Sequence, residues 1–241
     1  YVAPLVLKPG GREIQMMAIS LTDGTLLHQN EILPQGAIYN LSCDDMLEKN
    51  GDLIIYGSQG SGNTGDGCLY LIRMDKEFNL LDQKHICDNN YRKRGLSLKA
   101  HEQGGYVLVY GEEYWVGTCS LKVARLDEQF NIVYSRELQQ TETDDVFYKS
   151  EILLAGDSGY FLIWQQDLTD SIPIVYPHTT WPYQAVIYKM DSLFNMEWEY
   201  FFTREYEVAA TNAKLDDNGN LIAAGGSFYF YTHDYFTDPS H

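Results

Sequence analysis

The stretch "YLIRMDKEFNLLDQK" at residues 70–84 ends an apolar run at an Asp and then turns at a Phe-Asn pair. Two later stretches have the same form, "VARLDEQFNIVYSRE" at 123–137 and "VIYKMDSLFNMEWEY" at 186–200. The Asp residues of the three turns are spaced by 52 and 64 residues: Asp75, Asp127 and Asp191. A motif that recurs at such intervals indicates a repeat protein with a unit of about 50–60 residues.

A second marker, a turn Gly followed by an apolar run, alternates with the first along the chain: Gly51, Gly105, Gly159 and Gly219. Each unit then divides into four strands. Strand A precedes the Gly turn, B follows it, C ends at the marker Asp and D follows Phe-Asn. No stretch has a convincing period of 3.6 residues, so very little helix is expected. Four-stranded antiparallel units in tandem favour radial repetition, which protects sheet edges.

The pattern resembles bacterial β-propeller repeats that carry "D-x-x-G-[NDG]-x-[LI]-[IV]-x-x-G" followed by "[KR]-[LM]-D-x-x-[FG]-N". Such repeats are common in secreted and surface proteins, including those of Bacteroidota. The resemblance implies an all-β fold, a β-propeller of four-stranded antiparallel blades with about four to five blades visible. It implies one propeller domain, 1–241, with repeats at 1–36, 37–90, 91–143, 144–206 and 207–241. Blade number and ring closure stay open, because the end repeats are incomplete.

The charge balance restricts the partners. With 34 acidic and 17 basic residues the formal charge is −17, which repels phosphate backbones and makes nucleic acid an unsuitable partner. No apolar run approaches the ~20 residues of a membrane helix, so no membrane insertion is expected. The chain begins at Tyr1 rather than Met, as removal of a secretion signal or a cloning boundary would explain. The expected location is secreted, periplasmic or at the cell surface.

The longest and least regular connections predict where binding occurs. D–A and B–C connections share one face of a propeller, called here the loop face, and irregular loops on a rigid scaffold usually carry function. The B–C connections span 58–67, 112–118 and 165–183, and the third contains three prolines. Aromatic side chains with polar groups suit recognition of a protein partner or a glycan, although the same rings could pack on their own loops. The predicted ligand-binding residues of these loops are Tyr114, Trp115, Tyr176, His178, Trp181 and Tyr183.

The four cysteines are expected near the loop face. Of three possible pairings, Cys43–Cys87 and Cys68–Cys119 are predicted first, and four free thiols are the alternative. Disulfides would indicate an oxidising compartment. A zinc site is disfavoured, because no C-x-x-C occurs and no His lies at ligand spacing.

Searches for catalytic motifs leave one carboxylate. "GSGNTG" at 60–65 leads into a strand rather than a helix, so it is a loop and not a dinucleotide site. "DDNGN" at 216–220 is predicted to be a hairpin turn rather than a calcium loop. We predict no cofactor and no metal site. Counting back eight residues from each turn Gly gives the expected channel ring of Cys43, Ser97, Glu151 and Thr211. Glu151 is included among the ligand-binding candidates, but glycoside chemistry needs paired carboxylates.

The sequence therefore predicts a non-catalytic propeller outside the cytoplasm, a protein-interaction module in a larger surface or secreted assembly. The alternative is a propeller enzyme or glycan-binding module that acts on an extracellular polysaccharide. A third hypothesis is a structural piece whose open edges pair with another chain by strand addition.

Overall fold

The computed structural model describes residues 5–8, 11–20, 22–32, 39–60, 67–88, 91–114, 118–141, 150–167, 183–202 and 207–228. All regular structure in these ranges is β-strand. These ranges contain no helix with the length and apolar character that crossing a membrane requires. Seventeen strands are formed: β1 Leu5–Lys8, β2 Gly11–Ile19, β3 Leu26–Ile32, β4 Tyr39–Lys49, β5 Asp52–Gly60, β6 Gly67–Met74, β7 Leu80–Cys87, β8 Tyr91–Ala100, β9 Tyr106–Tyr114, β10 Thr118–Leu126, β11 Ile132–Thr141, β12 Ser150–Leu154, β13 Tyr160–Asp167, β14 Tyr183–Met190, β15 Met196–Phe202, β16 Glu207–Leu215 and β17 Leu221–Phe228.

The strands form sequential antiparallel sheets. Three of them have four strands, in the orders β4-β5-β6-β7, β8-β9-β10-β11 and β12-β13-β14-β15. The described part of the first sheet has three strands, β1-β2-β3, and that of the last has two, β16-β17. This is the all-β, four-stranded blade architecture of a β-propeller, and it confirms the predicted fold class. The chain divides into two compact units, 1–154 (unit 1) and 155–241 (unit 2).

The β4–β7 sheet buries both of its faces. Along β5, Leu53 and Ile55 pack with the first sheet, whereas Ile54 and Tyr56 pack with the third. This alternation follows from the two-residue period of a strand. Full burial of such a side chain stabilises the fold by roughly 1.5–3 kcal/mol. Adjacent sheets therefore supply the core that no single sheet can form.

The C–D turns have one repeated structure, seen in residues 127–131. The Asp127 carboxylate accepts hydrogen bonds from the backbone N–H of Gln129 and of Asn131, at 2.9 and 2.8 Å, and from Asn131 Nδ2, at 2.9 Å. Phe130 adopts a positive φ of 59° while its ring is fully buried. A left-handed conformation costs a non-glycine residue roughly 1–2 kcal/mol, which burial of the ring offsets. Residues 75–79 and 191–195 form the same turn.

The turns of the β8–β11 sheet are held by the preceding sheet. Arg73 on β6 lies 5.1 Å from the Phe130 ring and donates to the Tyr106 hydroxyl at 3.2 Å. Lys49 pairs with Glu128 at 2.7 Å and donates to the Gly105 carbonyl at 2.9 Å. Arg73, which lies two positions before the marker Asp75, and Lys49 therefore join neighbouring sheets.

The A–B turns differ in length. The β4–β5 turn has two residues, Asn50 and Gly51, both with positive φ, as tight hairpins require. The turns at 101–105, 155–159 and 216–220 have five residues each and share one pattern of backbone hydrogen bonds. Residues 216–220 thus form a hairpin turn, as the sequence predicts.

The disulfide prediction is wrong in its pairing. Cys68 bonds to Cys87, whereas Cys43 and Cys119 are not in disulfides. Cys68 and Cys87 lie directly opposite each other in the β6–β7 register, so the bond closes within one sheet. The prediction placed the cysteines by loop position and did not consider cross-strand partners.

Candidate functional site

Most of the loop residues predicted to bind ligand lie outside the described residues: Trp115, Tyr176, His178 and Trp181. Tyr114 ends β9 and Tyr183 begins β14, and only their backbones are described. Ligand binding by these six residues stays a prediction. The structure does describe Glu151, which lies on β12, the first strand of its sheet.

The first strands of three sheets lie side by side in unit 1. β4 packs against β8, and β8 packs against β12. Ser97 on β8 accepts a hydrogen bond at its Oγ from the Ile152 N–H on β12, at 3.2 Å. Glu151, beside it, lies 3.6 Å from Lys99 as an ion pair. The side chains are 26 % and 38 % exposed, so Glu151 is held at a position that solvent reaches.

The expected ring needs correction at two positions. Asp45 on β4 lies opposite Tyr56 on β5, and Ser97 on β8 lies opposite Val109 on β9. The two pairs occupy the same level of their sheets. Ser97 and Glu151 each precede the first residue of a five-residue turn by four positions. In the expected channel ring, Asp45 therefore takes the position predicted for Cys43. In the same way Asn212, which lies opposite Ala224, takes the position predicted for Thr211.

The place of the marker Gly within each turn explains this difference. Gly51 is the second residue of a two-residue turn and Gly219 is the fourth residue of its turn, whereas Gly105 and Gly159 are the fifth residues of theirs.

The first strands also contain β-bulges. The register of β4 shifts between Cys43 and Asp45, and that of β8 shifts between Gly95 and Ser97. Asp44 and Leu96 are thus the extra residues of two bulges. A bulge re-aims side chains and is over-represented beside active sites.

Asp44 is held by a network that joins β4, β5 and β8. Ser58 Oγ donates to the Asp44 carboxylate at 3.2 Å and accepts the Gly95 N–H at 3.0 Å. A Cβ on Gly95 would lie 3.1 Å from Asp44 Oδ2 and 2.9 Å from Tyr56 Cδ2. A glycine is therefore required for this close approach of β8 to Asp44.

The environment of Asp44 raises the pKa of its carboxyl above the ordinary value. Desolvation raises the pKa of the Asp44 carboxyl and the charge of Asp45 adds to the rise, although hydrogen bonds from Ser42 and Ser58 and the charge of Arg94 oppose it. Asp44 is nevertheless exposed to solvent. Burial, with smaller contributions from Asp44 and Asp45, raises the pKa of the Cys43 thiol to about 11. A carboxyl that is accessible and protonates readily can act as a general acid.

A buried charged group lies on the same sheets. The Glu112 carboxylate pairs with Lys93 and with Lys122, and the side chains of Lys93 and Glu112 are each 6 % exposed. Lys93 Nζ lies 5.6 Å from the centre of the Tyr110 ring. Burial and the charge of Glu112 raise the pKa of the Tyr110 hydroxyl. This group joins β8, β9 and β10 and fixes the strand that approaches Asp44.

Among the described residues, no group of three or more His, Cys, Asp or Glu side chains is arranged to hold a metal ion. The carboxylates that the sequence reasoning missed are Asp44 and Asp45. The signal was present as two adjacent acids in a first strand, "SCDDML".

Comparison with known proteins gives structural neighbours but no family. No family model matches the chain, and no curated protein matches it. A protein of unknown function from Bacteroides caccae is 10 % identical with a TM-score of 0.52, over 95 % of this chain and 69 % of that one. An exo-1,5-α-L-arabinanase from a bovine ruminal metagenomic library is 15 % identical with a TM-score of 0.49, over 93 % and 76 %. A GH43 endo-arabinanase from Bacillus licheniformis is 11 % identical with a TM-score of 0.44, over 95 % and 94 %.

These neighbours correct one prediction. The sequence reasoning predicted that the chain is not an enzyme, and this is contradicted by the two glycoside hydrolases among the neighbours. At identities of 10–15 % a likeness shows the fold alone, since one propeller scaffold carries many activities. Any activity must therefore be argued from the residues of this chain.

Proposed function

We propose that this chain acts on an extracellular polysaccharide and cleaves glycosidic bonds at the first strands of unit 1. The observation that carries the proposal is Asp44: it is a bulged, solvent-reached carboxyl whose pKa desolvation raises. Asp45 follows it directly. Glu151 on β12 precedes its turn at 155–159 by four residues, as Ser97 precedes the turn at 101–105.

These residues match the chemical needs of glycoside hydrolysis. One carboxyl must be protonated, so that it can give its proton to the leaving oxygen as the bond to the sugar carbon breaks. A second carboxylate must be ionised, to take a proton from the attacking water or to attack the sugar carbon itself. We assign Asp44 to the first role, because desolvation raises the pKa of its carboxyl and solvent still reaches it. Asp45 and Glu151 are the candidates for the second.

Substrate contacts are assigned to the loop face. We assign the stacking on sugar rings to the aromatic and histidine side chains predicted in the sequence: Tyr114, Trp115, Tyr176, His178, Trp181 and Tyr183. The formal charge of −17 disfavours polyanionic substrates and favours a neutral polysaccharide.

The proposed location is outside the cytoplasm. The Cys68–Cys87 disulfide supports it, because such bonds persist mainly in oxidising compartments. Assignment to a cell surface or to a larger secreted assembly belongs to the same proposal.

The test is release of reducing ends from a panel of neutral and uronate-bearing polysaccharides. Asp44→Asn should lower the rate by about 10²–10⁴-fold, the usual contribution of general acid–base catalysis. Asp82→Asn on the outer strand β7 is the matched control, and it should leave the rate unchanged. Unfolding transitions of both variants would verify the fold. Equal rates for wild type and Asp44→Asn, or no release from any polysaccharide, would refute the proposal.

A further inference from the structure

The Ser58 hydroxyl has a fixed direction. Its Oγ donates to Asp44 Oδ2 at 3.2 Å and accepts the Gly95 N–H at 3.0 Å. A serine hydroxyl has one proton to donate and two lone pairs that accept. The Gly95 N–H can only donate, so it occupies a lone pair of Ser58 Oγ, and the hydroxyl proton remains for the Asp44 carboxyl. Ser58 is therefore the donor in its contact with Asp44.

The backbone of Ser58 is held in place from the neighbouring strand. Ser42 lies opposite Ser58 in the β4–β5 register. Ser42 Oγ accepts the Ser58 N–H at 3.1 Å and donates to the Ser58 carbonyl at 3.4 Å. On β8, Gly95 is buried, and a Cβ there would lie 2.9 Å from the Tyr56 ring, so tight packing sets the position of its N–H. Ser58 thus has fixed neighbours on both sides, as a residue that orients another side chain needs.

The direction of the Ser58 hydrogen bond determines which oxygen of Asp44 holds a proton. Oδ2 receives the Ser58 hydroxyl proton, and a second proton on Oδ2 would compete with it for the same line of approach. When Asp44 is protonated, its proton therefore lies on Oδ1. A general acid works only when its proton is within hydrogen-bonding reach of the oxygen that receives it. Fixing the proton on one oxygen therefore fixes the direction of its transfer.

We propose that Ser58 is the positioning residue of Asp44: its hydroxyl orients the carboxyl and keeps the transferable proton on Oδ1. Ser58 has this role only within the proposed function, in which Asp44 protonates the leaving oxygen. The proton moves from Asp44 Oδ1 to the glycosidic oxygen as the bond from that oxygen to the sugar carbon breaks, and the bonding electron pair stays with the oxygen. The carboxylate that remains keeps the hydrogen bond from Ser58 at Oδ2, which stabilises its negative charge.

The other titratable and charged groups that interact with the Asp44 carboxyl come from four strands. They are Cys43 and Asp45 on β4, Tyr56 on β5, Tyr70 on β6 and Arg94 on β8. Burial raises the pKa of the Cys43 thiol to about 11 and raises the pKa values of both tyrosine hydroxyls, so these three groups stay neutral between about pH 3 and pH 8. The Arg94 guanidinium stays charged. Asp45 is the carboxyl beside Asp44, and adjacent carboxyls titrate as a pair, so a test of Asp44 needs a form without the Asp45 charge.

The first test is a ¹³C NMR titration of the Asp44 carboxyl, assigned by its loss in Asp44→Asn and repeated in an Asp45→Asn background; it needs no substrate. Ser58→Ala should raise the Asp44 pKa by about one unit, because it removes a hydrogen bond to the ionised form. Ser58→Cys, a weaker donor, should raise it by less. Ser58→Thr, which keeps the hydroxyl, and Ser135→Ala, at an exposed serine on β11, should leave it unchanged. A lower pKa in Ser58→Ala would mean that Asp44 donates from Oδ2 to Ser58, and that result or an unchanged pKa would overturn the proposal.

The second test is the pH profile of polysaccharide cleavage. In Ser58→Ala, kcat should fall by about tenfold or more with KM unchanged, because a catalytic group misplaced by about 1 Å can cost about 10²-fold. The alkaline limb of the profile, where Asp44 loses its proton, should move up by the same unit or so, and Ser58→Thr should restore both kcat and the limb. A role in stability alone would not move the limb, so an unchanged limb in Ser58→Ala would overturn the proposal. A raised Asp44 pKa in Ser58→Ala with no cleavage by the wild type would uphold the orientation of Asp44 by Ser58 and overturn the proposed function alone.

Discussion

Single residues decide how closely the strands of unit 1 approach one another, and Gly95 is the clearest case. Its missing side chain lets β8 lie against both Asp44 and the buried Tyr56 ring. Gly95→Ala should destabilise the fold by about 1–3 kcal/mol, the usual cost of overpacking. Gly156→Ala is the control, since a Cβ there meets no atom within 4 Å, and its effect should stay within about 0.5 kcal/mol. Urea unfolding of both variants measures this. A silent Gly95→Ala would show that β8 and Asp44 are not in close contact.

At this scale the sequence predicts turns better than sites. The marker residues Asp75, Asp127 and Asp191 predict their turns, because the side chain itself makes the hydrogen bonds. Asp44 was not predicted, since its role depends on a bulge and on Ser58 and Gly95 from other strands. Such contacts between distant residues have no local sequence pattern.

The C–D turn is the element whose stability should depend on pH. The pKa of the Asp127 carboxyl is lowered most by the hydrogen bond from the Asn131 side chain and next by the hydrogen bond from the Asn131 backbone. A depressed folded-state pKa gives stability that is fully present above the unfolded value and is lost as the pH falls through the folded value. Asp127→Asn should therefore lower the urea midpoint at about pH 7 and have little effect at about pH 2. The same loss at both pH values would mean that the carboxylate charge does not stabilise the turn.

The β6–β7 hairpin is the element that the disulfide stabilises. Cys68 and Cys87 are 19 residues apart, so the crosslink should contribute about 3 kcal/mol by restricting the unfolded chain. Reduction of the wild type should lower its free energy of unfolding by that amount. The double variant Cys68→Ser, Cys87→Ser should match the reduced protein and be insensitive to reductant. If the reductant destabilises the double variant equally, the effect does not arise from this bond.

Sheet membership could be predicted because each element carries a period of two and a marked turn. The cysteine pairing could not, because Cys68 opposite Cys87 depends on the register of β6 and β7. The position of Asp45 in the channel ring depends in the same way on the two-residue turn at Asn50 and Gly51. Register and bulges are thus the limit of the prediction for these elements.

At the scale of the whole molecule, the fold class followed from the repeat, whereas the activity did not. Composition gives a charge that excludes some partners, but a scaffold shared by many functions does not define a reaction. The prediction of a non-enzymatic module failed because it relied on missing motifs. Carboxylates on different first strands, such as those of β4 and β12, form no linear motif, and only the packing of β4 and of β12 against β8 relates them.

The most direct test of the central claim is a crystal structure of the Asp44→Asn variant with an oligosaccharide cut from the polysaccharide that the wild type degrades. We predict a sugar ring at the first strands of unit 1, with a glycosidic oxygen within hydrogen-bonding distance of residue 44 and a carboxylate of Asp45 or Glu151 near the sugar carbon. An oligosaccharide bound only elsewhere, for example against Trp198 and Tyr200, would contradict the claim.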